Sequence, residues 1–186
     1  MPAHEPSEVA ALTRPTSIQR NKQRLYILFY RGGPADAQFH PVLAMAPKKP
    51  DPRKVQTWRF HLKCVMCGGV PCWGFEGSQV SNYDQRTVAA LLVSKLDPGT
   101  TGMGLSGLLK EVPVPEDAGE STAAQWTCDA IKLLIERDVM PALPLLPQAI
   151  YDRGANFADR VQNVEEASVP TCDIVGVKMK SEISRA

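Results

Sequence analysis

The sequence has almost no excess charge, no long apolar run and no glycosylation sequon, and each shortage removes a class of function. Its 21 Lys and Arg against 20 Asp and Glu leave a formal net charge of +1. That is too little for the broad positive field of a nucleic-acid or membrane-surface binder, so no nucleic-acid partner is expected. The basic groups Arg20, Lys22, Arg24 and Lys48, Lys49, Arg53, Lys54 are local and read as solvated segments. No stretch approaches the roughly 20 apolar residues of a membrane span. The most apolar segment, Val139 to Ile150, is interrupted by Pro141, Pro144 and Pro147. Asn-x-Ser/Thr is absent, and the first 24 residues lack the apolar run of a secretory leader, so a cytoplasmic protein is expected. Five cysteines is an odd number, which without a secretory context points to reduced thiols.

What is present suits one globular domain. The chain has 186 residues, 44% hydrophobic and 22% charged, enough for one core and too few for two comfortable ones. Residues 1–22, with Pro2, Pro6 and Pro15, read as a disordered tail, residues 23–165 as a single α+β domain, and residues 166–186 as a weakly ordered tail. Leu25 to Tyr30 reads as a strand that Arg31-Gly32-Gly33-Pro34 ends. Phe39 to Met45 is a second strand, with Phe39, Pro41, Leu43 and Met45 on one face and His40, Val42 and Ala44 on the other. Trp58 to Val65 is a third, with Arg59, His61 and Lys63 opposite Trp58, Phe60 and Leu62. Gly68-Gly69 breaks it, Cys72 to Phe75 reads as a short strand, and Thr87 to Leu96 as a buried one. A short helix is expected within Gly104 to Val112. Two main helices follow: Ser121 to Arg137, capped by Ser121 with the stripe Trp126, Ala130, Leu133, Leu134, and Gln148 to Val164, with Ile150, Ala155, Phe157, Ala158 and Val161 inward. The architecture expected is a mostly antiparallel sheet over residues 25–96 with these two helices packed on it.

Four groups of residues could carry chemistry. The run Gly102-Met103-Gly104-Leu105-Ser106-Gly107 matches G-x-G-x-x-G. However, Asp97 to Thr101 separates it from the preceding apolar run, and no second βα unit follows, so it reads as a flexible strand-to-helix loop. Cys64-Val65-Met66-Cys67-Gly68-Gly69 has the form of a zinc knuckle, with Cys72 and His61 able to complete four ligands. Without a second Cys-x-x-Cys, and with His61 only three residues before Cys64, it reads rather as unrelated thiols in a turn, the zinc site and thiols that react or pair being the alternatives. Cys128, about two turns into a helix, reads as a small buried hydrophobe. Lastly, a turn near residue 51 or 52 would place His61 beside Val42, diagonal to His40. One imidazole could then fix the tautomer of the other, as an orienting group serves a general base.

The order strand, Gly-rich turn, His40 strand and aromatic-x-x-His61 strand resembles a family of small fungal proteins that look distantly like circularly permuted papain-like hydrolases and acyltransferases, the NlpC-type and lecithin retinol acyltransferase groups. The later landmarks are Trp73 to Glu76, Leu91 to Lys95, Leu108 to Pro115 and Trp126-x-x-x-Ala130-Ile131. The resemblance implies a permuted papain-like fold with His40 as base and His61 as its partner. Trp126 then places Ala123 where the family has its nucleophilic cysteine. Cys128 is five residues on, about 140° around the helix, and cannot simply substitute. The reading is therefore a domain with a broken catalytic set, a binding or accessory protein for a small molecule or protein, and the resemblance implies a supporting role in fungal specialised metabolism. It has no cofactor. The alternatives are a thiol hydrolase or acyltransferase using Cys128 with His40 or His61, and a small zinc module on Cys64, Cys67, Cys72 and His61.

Overall fold

Alternation of side chains along extended segments decides how this chain layers. In the computed structural model, which describes residues 22–32, 39–81, 85–115, 122–163 and 166–184, the strands are β1 (Gln23–Arg31), β2 (Phe39–Ala46), β3 (Val55–Cys67), β4 (Val70–Ser81) and β5 (Thr87–Leu96). The short β6 (Thr171–Cys172) and β7 (Lys178–Met179) complete one sheet of order β4-β3-β2-β1-β5-β6-β7. Every neighbouring pair is antiparallel except β5–β6. Three helices accompany it, α1 (Gly102–Leu109), α2 (Thr122–Glu136) and α3 (Pro147–Val161). The fold is thus α+β with a mostly antiparallel sheet and two main helices, as expected, and α1 takes the place of the short helix expected within Gly104 to Val112. Among the described residues no helix is long and apolar enough to cross a membrane.

The period of two sorts the sheet into two unlike faces. Leu25, Ile27 and Phe29 of β1, Phe39, Leu43 and Met45 of β2, and Phe60 and Leu62 of β3 point to the helices and form the main core. Trp126, Ala130, Ile131 and Leu134 of α2 and Ile150, Phe157 and Ala158 of α3 meet them there. Trp126, Leu43, Leu62 and Ile131 are fully buried, and each such side chain contributes about 1.5–3 kcal/mol through removal from water. Tyr26, Leu28, Tyr30, Val42, Ala44 and Ala46 point the other way and form a smaller cluster closed by Val169 and Ile183.

Three expectations need correction. The C-terminal segment is not a weakly ordered tail: β6 joins the sheet beside β5, Ser168 bridges Ser184, and Arg24 Nε donates to Glu182 Oε2 at 2.7 Å. Its contacts are too short to leave a periodic signature. The glycine-rich run is helix α1 rather than a loop; Thr101 caps it by accepting from the Gly104 N–H at 3.1 Å. A Cβ on Gly102 would lie 2.2 Å from the Trp58 indole, so that glycine serves close packing. The short strand of Cys72 to Phe75 is the middle of the twelve-residue β4. Ser121, expected as a helix cap, lies outside the described residues.

Candidate functional site

The helix-free face of β2–β4 carries the polar cluster. The β2–β3 pairing runs Leu43↔Phe60, Ala44↔Arg59 and Met45↔Trp58; extended by one step it sets His61 beside Val42 and diagonal to His40. The two rings meet there, with His40 Nε2 and His61 Nδ1 3.2 Å apart and the rings at 77°. On the other side of β3, the register sets His61 opposite Glu76, and His61 Nε2 lies 3.7 Å from Glu76 Oε1. Glu76 also takes a hydrogen bond from Lys63 Nζ at 3.1 Å.

This chain of contacts sets the tautomers. The Glu76 carboxylate favours a proton on His61 Nε2, which leaves Nδ1 as acceptor for His40 Nε2–H, and His40 Nδ1 keeps its lone pair. Both rings are neutral at pH 7. Burial, helped by His61 and by the positive charge of Arg86, pushes His40 down to about 4. Burial also lowers His61, against the opposing pull of Glu76. Glu76 itself is held below its usual range, first by the Lys63 hydrogen bond.

The histidines line a cleft of about 540 Å³ together with Tyr30, Arg59, Trp73 and Arg86. The guanidinium carbons of Arg59 and Arg86 lie 5.5 Å and 5.4 Å from the Tyr30 ring centroid, within cation–π range. The buried Trp73 Nε1 has no hydrogen-bond partner among the described residues. Arg59, Arg86, Tyr30 and Glu76 were not among the residues expected at the site. Glu76 had a signal in the chain: Gly68 and Gly69 form a two-residue turn with φ of 60° and 88°, the glycine-rich hairpin type. Counting outward from it pairs residue 61 with residue 76.

Of the other expected site residues, Cys64 alone borders this cleft. Ala123 and Cys128 lie on α2, whose inward residues Trp126 and Ile131 pack on the opposite face of the sheet. Cys128 is buried in the seam with α3, its Sγ donating to Gln148 Oε1 at 3.5 Å, and burial pushes its thiol up to about 11. The sheet thus separates both positions from His40. Cys64 does border the cleft, but three residues of extended strand put its Cα roughly 10 Å from that of His61. Nor do the four ligands of the knuckle converge. Cys64 is of opposite strand parity to His61 and Cys67, and six residues separate those two by roughly 20 Å. Among the described residues no three His, Cys, Asp or Glu side chains are grouped to hold a metal.

A second hollow of about 380 Å³ lies beside α1, bordered by Asp97, Thr101, Leu105, Leu108 and Asp138. Among the described residues that border it there is no histidine or cysteine.

No curated protein and no solved structure matches the chain. One family model does, over residues 22–163. The match takes in β1–β5 and all three helices, and so every residue of the histidine cleft, but stops before β6. The chain belongs to the family of unknown function DUF6914.

Proposed function

We propose that the chain is a binding or accessory protein, a degenerate relative of the permuted papain-like proteins, that holds a small organic molecule against the His40–His61 pair. The observation that carries this reading is the 3.2 Å contact between two neutral rings in a cleft on the helix-free face, a volume within the ordinary range for small-molecule sites. Two physical arguments favour binding over turnover. Cys128, and Ala123 at the position of the expected nucleophile, lie across the sheet from His40, beyond the roughly 3–4 Å that a nucleophile needs from its base. A base held near 4 also abstracts protons poorly at neutral pH, where an effective one sits near 7. The lone pair on His40 Nδ1 suits a ligand hydroxyl or amide N–H. A supporting role in fungal specialised metabolism is part of the same proposal.

A thermal-shift screen with hydroxylated aromatic acids and heterocyclic amides tests it. Compounds that stabilise the wild type should lose their effect in His40→Ala and keep it in Cys128→Ala. The reverse pattern, or turnover of thioesters or amides abolished in Cys128→Ala, would restore the thiol-enzyme reading.

A further inference from the structure

The cysteines at the β3–β4 hairpin tip are arranged for a chemistry independent of the cleft. Their sequence spacing suggests that Cys64 and Cys67 belong together, but in an extended strand residues three apart point to opposite faces, roughly 10 Å apart along the chain. The hairpin regroups them. The register Val65↔Cys72 and Cys67↔Val70 puts Cys67 and Cys72 on the same face, diagonal to one another across the turn. Diagonal neighbours have Cα atoms about 7–8 Å apart with Cβ atoms closer, within side-chain reach. The proximity of Cys72 is the largest cause of a raised Cys67. Cys67 is exposed and Cys72 half-buried, so a small reagent reaches both. The neighbours Val65, Met66 and Val70 are exposed as well, and the turn is Gly68-Gly69, so the tip has room to adjust.

We propose that Cys67 and Cys72 form a reversible dithiol–disulfide site that exchanges with low-molecular-weight disulfides. The Cys72 thiolate attacks one sulfur of the small disulfide, giving a mixed disulfide on Cys72 and releasing one small thiolate, which takes up a proton. Cys67 then loses its proton to solvent and attacks the Cys72 sulfur. The ring closes and the second small thiol leaves. Two protein thiols are oxidised and one small disulfide is reduced to two thiols. A disulfide needs Cα atoms about 4.4–6.8 Å apart, so closure draws the tip together by about 1 Å and leaves a bond more easily reduced than an unstrained one. Reversibility follows from that strain. Cys128 and Cys172 take no part: both are buried, and burial raises them to about 11 and about 12.

The test is equilibration of the full chain in an oxidising glutathione buffer, alkylation of the remaining thiols and mass spectrometry. The expected product has lost two hydrogens and two alkylatable thiols, and both return with excess reduced glutathione. Chemical cleavage after Met66 then decides the pairing, because it separates Cys64 from Cys67 and Cys72. A free Cys64 fragment is expected, with the ring intact in the next fragment. Cys67→Ser should stop at a glutathione adduct on Cys72, and Cys64→Ser should change nothing. A Cys64 fragment linked to its neighbour, glutathione adducts without ring closure in the wild type, or no reaction at the tip would each overturn the proposal.

Discussion

Removing His40 should flatten the acid limb of the protein's stability profile. His40 is neutral in the folded chain down to about 4, whereas in the unfolded chain it binds a proton below its ordinary value near 6.5. Between those values the unfolded state therefore holds more protons, and stability falls as pH falls. The contribution is present in full above pH 6.5 and is lost as the solution approaches pH 4. At about 1.4 kcal/mol per unit the shift corresponds to about 3 kcal/mol when fully expressed. The ring is partly open to the cleft, and solvent screening reduces this to about 1.5 kcal/mol. The assay is urea unfolding of wild type and His40→Gln at about pH 7.5 and about pH 4.5, compared as a double difference so that the carboxylates common to both cancel. The wild type should lose about 1.5 kcal/mol more than the variant over that interval. Equal losses, or an imidazole NMR titration of His40 centred near 6.5, would refute the burial argument and the neutral pair with it.

Further outcomes follow from packing and exposure. Gly154→Ala should destabilise by about 1–3 kcal/mol in urea unfolding, although alanine is the better helix former, because its Cβ would sit 2.6 Å from the Phe29 ring. An unchanged or higher midpoint would mean that α3 does not rest on β1 as described. Glu182→Ala should cost about 2 kcal/mol and speed proteolysis after residue 166, since it leaves the largely buried Arg24 guanidinium without its 2.7 Å partner. Under native conditions alkylation should modify Cys64, Cys67 and Cys72, and reach Cys128 and Cys172 only after unfolding; fast native labelling of Cys128 would contradict its burial.

Much of the fold was legible because the strands obey a strict period of two. The assignment of Leu43 and Met45 to one face and His40 and Val42 to the other is the one observed, and it was that alternation, with a turn near residue 51, that set His61 near His40. Glu76 does not emerge from strand periodicity alone, in which Gly68-Gly69 reads as the end of a strand; only the count from a hairpin turn at these glycines leads to it. β6 and β7 are two residues each and owe their places to long-range pairing, which no local pattern records. The helix positions were also legible, but which side of the sheet they cover was not. That choice decides the site, since it places Cys128 and Ala123 away from the histidines. It follows from the larger side chains, Phe29, Phe60, Leu62 and Leu43, facing one way.

The central claim is that ligands meet the His40–His61 pair on the helix-free face of the sheet. Its most direct test is a set of two-dimensional NMR spectra, with the histidine rings labelled, recorded as the best compounds from the thermal screen are added. The account requires the largest shifts at the His40 and His61 rings and at Tyr30, Trp73 and Ser78 around them. Shifts gathered instead at Cys128 and Gln148, or at Thr101 and Leu105 beside α1, would contradict it.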